Sequence, residues 1–308
     1  MSARITAAVV GAGAIGALLD DPGVKEPLTH AGGYVVAGYA LAALVDTEPR
    51  MREEALRWGC EIFADFDTMM HAMKPDVISF AVPASARPAL MRRALAHKPR
   101  ALVAEKPLAE SVAEGEAIVA ACRDAGVPLI VNYSRRFVPF WQRLRNSSAM
   151  SATIRYAKGL RHNGTHAVDL CHMLFGESVQ ATPLAKKCDY WRDDPTISAH
   201  LIFERCPEVF LQGLDERCFS LFEVDIIASN WRIVVDSDGR RARRFNVQDN
   251  VGIPPGKRLV EKTPEDTGAG SAMLNLMRHV QDVLDGAKPL CSGEDALAAQ
   301  RIAARLAL

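Results

Sequence analysis

The chain has 308 residues, 49% of them hydrophobic and 24% charged, enough for two domains with sizeable cores and far from the composition of a disordered segment. Lys plus Arg and Asp plus Glu each number 37, so the formal net charge is zero; that balance argues against nucleic acid or an anionic membrane as partner. The 7 cysteines are scattered and never spaced as CxxC, which suits free thiols in a reducing cytosol better than a disulfide framework or a zinc site.

The N-terminus, with Arg4 before an apolar run, imitates a secretory signal, but a glycine turn interrupts it and no small-residue cleavage site follows. The longest apolar stretch, 34–45, is too short to span a bilayer. A soluble, cytoplasmic chain with no membrane partner is expected.

In chain order, the first element is a β-branched strand over 5–10 that stops at Gly11, Gly13 and Gly16. Such a strand–turn–helix lets the first glycine turn sharply, the second admit a pyrophosphate against bare backbone, and the third pack the helix on the strand. Gly11, Gly13, Ala14, Ile15 and Gly16 are therefore candidate cofactor contacts, the helix N-terminus offering unpaired N–H groups and a positive dipole end. The next strand, 39–45, ends at Asp46, the acid expected to hold the ribose hydroxyls and to favour NAD over NADP, with Arg50 nearby to soften that preference. Asp46 comes later than the usual spacing of about 20 residues beyond the glycines. The surplus is 20–27, whose two prolines and one glycine should break the first helix into a surface loop, with a second short helix over 29–34.

Helices over 48–58, 67–73, 85–97 and 110–125 then alternate with strands over 61–63, 76–82, 101–104 and 128–131. Continuous apolar strands alternating with helices predict a doubly wound parallel sheet of α/β class, a Rossmann domain over residues 1–131. Ligands of such sheets sit outside the carboxyl ends of the strands. Asp46, Pro83, Glu105, Lys106 and Asn132 lie at those ends.

From 132 to 308 the texture becomes α+β, with a mainly antiparallel open sheet. A strand over 153–157 leads to a helix over 165–175, followed by strands over 197–203, 209–214, 219–227 and 231–235, an Asp238-Gly239 hairpin turn, and a returning strand over 245–247. Two helices close the chain, one from Ser271 to Gly286, the other after Ser292 with Asp295 as capping partner.

The sharpest short motif is Ala104-Glu-Lys-Pro-Leu-Ala109. Proline disfavours αR for the residue before it, so Lys106 projects from the sheet edge into the cleft where the nicotinamide should lie. The second constellation runs from His162 to Gly176. Asn163 or Thr165 can cap its helix, and Gly164 makes one continuous helix through His162 and His166 doubtful. His166 and Asp169 are three apart and share a helix face. A zinc set of His162, His166 and Asp169 lacks a fourth ligand, and no metal is expected.

GAGAIG near the start, LVD at the second strand's end, AEKPLA, NYSRRF at the junction and NGTHAVDLCHMLFG occur in this order. In this the chain resembles the glucose–fructose oxidoreductase / inositol dehydrogenase / rhizopine-catabolism (Gfo/Idh/MocA) family over nearly its whole length. The resemblance implies an NAD(P)-dependent oxidoreductase acting on a sugar, polyol or sugar derivative, a small-molecule partner, and assembly into homodimers or homotetramers. It implies that Lys106 and His166 serve the hydroxyl being oxidised; an imidazole, ordinarily titrating near 6.5, suits a general base. Asn132, Arg135, Arg136, Asn163 and Asp169 are expected around the substrate.

Members commonly carry an aspartate four positions before the histidine; here it is His162, which joins the catalytic candidates. Many carry a histidine four positions after the proline ending the fourth strand; here Arg87 stands there. Two other readings keep the same residues: an NAD-assisted lyase or glycosidase, and a non-catalytic NAD(P)- or sugar-binding regulator. For assembly, the strand over 219–227 has Leu221 on one parity and Phe222, Val224 and Ile226 on the other, so an apolar sheet face is expected at an interface.

Overall fold

The computed structural model describes residues 4–236, 239–250 and 255–308. They form two compact units: the chain up to Phe137 with Gly270–Leu297, and Val138–Ala269 with Ala298–Leu308.

The first unit is a six-stranded parallel sheet of β1 (Thr6–Val10), β2 (Ala40–Val45), β3 (Glu61–Phe63), β4 (Val77–Phe80), β5 (Ala101–Ala104) and β6 (Leu129–Val131), in the order β3-β2-β1-β4-β5-β6. Strands β4, β5 and β6 are buried at every position, because helices cover both faces and leave no polar side to alternate with. The helices are α1 (His30–Val36), α2 (Pro49–Ala55), α3 (Phe66–Met73), α4 (Arg87–Leu95) and α5 (Val112–Asp124). Their starts are chemically marked: Thr29 accepts from Gly32 N, Asp65 accepts from Thr68 N, and Ser111 with Glu114 forms a reciprocal capping box. The order of strands reverses beside β1, and the carboxyl ends there open a crevice.

The helix expected after the glycines is a single π-turn, Ala14–Leu18. The following stretch is not the plain surface loop expected. Asp20 is buried, and its carboxylate accepts hydrogen bonds from Leu28 N at 2.9 Å, Thr29 N at 2.7 Å and Thr29 Oγ1 at 2.7 Å. The insertion thus folds around its own aspartate, which seats the cap of α1.

The second unit contains α6 (Pro139–Gln142), β7 (Ser151–Tyr156), a π-turn (Leu160–Gly164) and α7 (Thr165–Phe175). Strands β8 (Ser178–Lys187), β9 (Thr196–Phe203), β10 (Cys206–Gly213), β11 (Phe222–Ile227), β12 (Trp231–Val235), β13 (Arg241–Asn250), β14 (Gly256–Glu261) and β15 (Glu265–Asp266) follow. The sheet runs β14-β13-β12-β11-β7-β10-β9-β8, with β15 beside β13; β7 and β10 are its parallel pair and the other pairings are antiparallel. Ile154, Tyr156, Leu201, Val209, Leu211, Val224 and Ile226 form the inner face, and Phe175 of α7 meets Phe203.

Strands β8, β14 and β15 were not expected. β8 carries Pro183, two register shifts and mostly exposed positions; among the described residues it pairs with β9 alone, and at such an edge proline and lysine are tolerated because the outer N–H groups are left to solvent. Of the expected turn pair, Asp238 lies outside the described residues, while Gly239 has φ 72°.

The strand read as an apolar interface starts only at Phe222. Phe222, Val224 and Ile226 point inward and are buried, while its other parity is Glu223, Asp225 and Ile227, with Asp225 bound to Arg232 at 2.6 Å. That strand's outer face is therefore largely polar.

Helix α8 (Ala272–Leu284) returns to the first unit and lies against α1. A Cβ at Gly33 would come 2.9 Å from Met277 Cγ, so glycine permits the close approach. Tyr39 Oη donates to Met277 O at 2.8 Å. A single division at 131/132 therefore misses this return, since it is encoded by contacts distant in sequence. In α9 (Gly293–Ala307) the expected cap is present: Ser292 N and Oγ both donate to Asp295 Oδ2, at 2.8 and 2.6 Å.

Candidate functional site

A cleft of about 470 Å³ opens at the carboxyl ends of β1, β2 and β4, with Gly11, Gly13, Asp46 and Pro83 in its wall. The three glycines do three separate things. Gly11 has φ 95°, and a Cβ there would lie 2.7 Å from Ala81 O. A Cβ on Gly16 would lie 1.8 Å from Gly11 O, so only glycine closes the turn. A Cβ on Gly13 would meet nothing within 4 Å: that space is open. Bare backbone facing an open cleft fits a dinucleotide.

The expected helix dipole is small, because one turn aligns few peptide dipoles; what the turn offers an anion is its first N–H groups, which lack intrahelical acceptors. Ala14 is exposed and Ile15 half-buried on that turn.

Asp46 has a second task that its position did not reveal. Its Oδ2 accepts Ala12 N at 2.8 Å and its Oδ1 accepts Glu48 N at 3.0 Å, so the carboxylate braces the glycine turn from β2. Arg52, not Arg50, reaches back, donating to Asp46 O at 3.1 Å and Thr47 O at 2.8 Å.

At the end of β5, Lys106 is half-buried, and its peptide bond to Pro107 is cis. Glu105 was expected at the cofactor. Instead it is buried and turned inward: Oε1 accepts from His30 Nε2 at 3.0 Å and from Asn132 Nδ2 at 2.7 Å. Burial pushes its carboxyl up, but the His30 hydrogen bond and charge, the Asn132 amide and the Lys106 charge outweigh that and hold it at about 2.

His30 is fully buried; its Nδ1 lies 2.9 Å from Ser79 Oγ, which is 2.7 Å from Tyr34 Oη. A continuous polar chain, Tyr34–Ser79–His30–Glu105–Asn132, therefore runs under the strand ends. The sequence reading passed over His30 and Ser79; the signals were a histidine opening an apolar helix and a serine inside an apolar strand. Asn132 Oδ1 is buried with no hydrogen-bond partner among the described residues. Such an acceptor suits a ligand's N–H group.

Arg136 does not await an anionic substrate. It is 1% exposed, donates to Leu290 O at 3.1 Å and pairs with Asp295 at 3.0 Å, tying the β6 exit to the cap of α9. Arg135 is half-buried.

In the second unit, neither Asn163 nor Thr165 caps α7. Asn163 Nδ2 donates to Ala157 O at 2.9 Å and Thr165 Oγ1 to Arg161 O at 2.9 Å. The cap is Asp194, whose carboxylate accepts Arg161 N at 2.8 Å and His162 N at 2.9 Å. Gly164 is helical, at φ −61°, so turn and helix run on without a break through both histidines. It is glycine for room: a Cβ would meet Leu160 Cδ1 and Tyr156 Cε2 at 2.9 Å.

His162 is exposed, His166 half-buried and Asp169 1% exposed, which makes Asp169 a support within the helix and not a group open to substrate. Trp191 packs on His162 with ring centroids 4.5 Å apart; Tyr190 meets Trp191 at 4.3 Å, and Lys158 Nζ lies 4.8 Å from the Tyr190 ring. Asp189 latches this loop, accepting Lys158 N and Thr196 Oγ1 at 2.9 Å each. Burial raises its carboxyl, but those bonds and the Glu216 N–H outweigh it and hold it below the usual range.

No helix among the described residues is long and apolar enough to cross a membrane.

Residues 5–133 match the model of the Gfo/Idh/MocA oxidoreductase family, NAD-binding Rossmann fold. The chain is 25% identical over 297 residues to a D-apiose dehydrogenase of Paraburkholderia graminis, covering 85% of this chain and 78% of that one. Among solved structures it resembles an oxidoreductase from Agrobacterium radiobacter in complex with NAD+, L-tartaric acid and magnesium, at 16% identity and TM-score 0.74, covering 98% and 95% of the two chains. It also resembles the UDP-N-acetylglucosamine 3-dehydrogenase of Acidithiobacillus ferrooxidans, at 16% identity and TM-score 0.76, covering 99% and 97%. At such identities the solved structures establish the shared fold. With the parallel sheet, the glycine turn and the family match agreeing, the chain is an NAD-binding oxidoreductase whose dinucleotide unit belongs to the Gfo/Idh/MocA family.

Proposed function

We propose that this chain is a dehydrogenase moving a hydride between NAD and a secondary alcohol of a sugar, polyol or sugar derivative. The observation that carries the reading is the half-buried Lys106 at the carboxyl end of β5, its neighbour Glu105 anchored beneath it, in the same sheet edge as the open glycine turn. NAD supplies the hydride acceptor, and the protein supplies position and proton management. Gly11, Gly13 and Asp46 hold the cofactor, and Asn132 offers an acceptor beside Glu105.

Lys106 hydrogen-bonds the reacting oxygen, and His166 takes the hydroxyl proton, with His162 beside it. The exposed Tyr190 and the half-buried Trp191 next to His162 are suited to the apolar face of a sugar ring. The names of the D-apiose and UDP-N-acetylglucosamine dehydrogenases give the same substrate class independent support.

The test is NADH formation across a panel of pentoses, hexoses, inositols and sugar nucleotides, with Lys106→Met in parallel. Turnover that needs Lys106 supports the reading; absence of NADH from every alcohol that thermally stabilises the protein sinks it. The enzyme works in the cytoplasm as a homodimer or homotetramer through the outer sheet face, where the cross-strand His200–Phe210 ring pair is partly exposed. Light scattering showing a monomer at micromolar concentration would refute the assembly.

A further inference from the structure

Arg87 stands where the family resemblance had suggested a histidine, and its relative exposure is 2%. It is the first residue of α4, so its side chain starts at the end of the loop leaving β4. From there one guanidinium collects main-chain carbonyls from two loops. Nη2 donates to Val82 O at 2.5 Å. Nη1 donates to Glu105 O at 2.6 Å, to Pro107 O, and weakly to Leu108 O at 3.4 Å.

Glu105 and Pro107 are the residues on either side of Lys106. Val82 precedes Pro83, and both line the cofactor cleft. The guanidinium is therefore a fixed spacer between the cleft wall and the backbone that carries the lysine.

This is a costly way to gain stability. Taking a cation out of water carries a penalty that a well-packed apolar side chain avoids. Burial pulls the guanidinium down to about 10, with Glu105 and Tyr133 opposing, so it remains charged at neutrality. Its Nε meets no acceptor among the described residues. The arrangement satisfies the forked Nη pair at the expense of Nε, as expected if the carbonyls dictate its geometry. A lysine has one donor centre and cannot span both loops from one plane.

We propose that Arg87 is a positioning residue for Lys106: it sets the place of the lysine relative to the cofactor cleft by holding the carbonyls on both sides of it. The proposal rests on the reading that Lys106 acts in hydride-transfer chemistry. Displacing a reacting group by about 1 Å can cost about 10²-fold in rate, and that is the effect at stake.

The experiment compares wild type, Arg87→Lys, Arg87→Met and Lys106→Met, on the substrate the panel identifies. For each, kcat, substrate KM, NAD affinity by calorimetry and the melting temperature are measured. The expected result for Arg87→Lys is a loss of about tenfold or more in kcat, with NAD affinity and substrate KM nearly unchanged. Arg87→Met should lose more, and if it fails to fold, Arg87→Lys decides alone.

A wild-type kcat in Arg87→Lys, with only a lowered melting temperature, makes Arg87 a structural staple and overturns the proposal. So does weakened NAD binding at unchanged kcat, which would assign Arg87 to the cofactor cleft. If Lys106→Met itself retains wild-type turnover, the underlying reading fails. Loss in Lys106→Met without loss in Arg87→Lys fails the positioning role alone.

Discussion

The two units contain the same local device and use it in opposite ways. In each, a glycine three residues beyond the end of a strand precedes a five-residue π-turn: Gly13, after β1, before Ala14–Leu18, and Gly159, after β7, before Leu160–Gly164. In the first, the space over the leading glycine is open and the carboxylate of Asp46 holds the backbone one residue earlier, at Ala12 N. In the second, Asp194 occupies that space: a Cβ on Gly159 would lie 2.2 Å from its Oδ2, and its carboxylate takes the N–H groups of the second and third turn residues. A turn whose N–H groups remain available can receive an anion from outside. A turn already closed by its own carboxylate can only present side chains, here His162 on the turn and His166 on the helix it opens. Under the proposed function, the first turn serves a ligand's phosphates and the second a ligand's hydroxyls.

The largest expected effects test whether the catalytic candidates of the two units, Lys106 and His166, do chemistry. Lys106→Met keeps the aliphatic stem and removes the ammonium, so kcat should fall about 10²–10⁴-fold, roughly 3–5 kcal/mol of barrier, while NAD still binds. His166→Asn should fall into the same range. A His166→Asn enzyme within a few-fold of wild type would reduce the second turn to scaffolding.

The next effect separates the two leading glycines directly. Gly13 has φ −68°, which any residue adopts, and open space around its Cβ position. Gly13→Val should therefore leave the melting temperature unchanged and weaken NAD by about tenfold or more, about 1.4 kcal/mol per decade. Gly159 has φ 78° and the Asp194 carboxylate in the way. Gly159→Ala should leave NAD affinity alone and lose about 1–3 kcal/mol of stability from backbone strain. If both variants lose stability and keep NAD, the first turn is not a phosphate cradle.

This contrast also explains what could be read from the sequence. The parallel unit was legible because its signals are local: apolar strands alternating with helices, and the glycine spacing, follow from neighbours a few residues apart. Asp194 acts on residues 33 and 32 positions earlier, and His30 on Glu105 75 positions later, so no spacing rule points to either. Arg136 misled because arginine is usually exposed, whereas here the buried guanidinium satisfies Leu290 O and Asp295. β8 was invisible because edge strands are the ones that tolerate proline and lysine.

A smaller effect is expected at the cap itself. Asp194→Ala removes the acceptor for two N–H groups and should cost about 0.5–2 kcal/mol, the range for losing an N-cap. Asp194→Asn keeps an acceptor and should recover part of that. Chemical denaturation of the two variants decides it; equal stabilities would mean the closure of the second turn rests on packing, and the contrast between the turns would weaken.

The smallest effect distinguishes the units by acidity. In the first, burial lowers the His279 imidazole below its ordinary value, outweighing the charge of Asp282, and its Nε2 accepts Leu290 N at 2.8 Å. A histidine whose folded value lies below the unfolded one, about 6.5, binds its proton more readily when unfolded. Its stabilisation is present above that value and is lost as pH falls through it. In the second unit, Asp189 is held below the usual carboxylate range, so its contribution is present above about 3.9 and is lost only as pH falls further. Between pH 7 and 5 the first unit should therefore weaken while the second does not. Hydrogen exchange, corrected for intrinsic rates, should accelerate in α8 and not in β7 or β9 over that interval. His279→Asn, with an amide oxygen to accept the Leu290 N–H and no proton to gain, should flatten the response. Parallel acceleration in both units, or a response unchanged in His279→Asn, would show that acid acts on them through some other group.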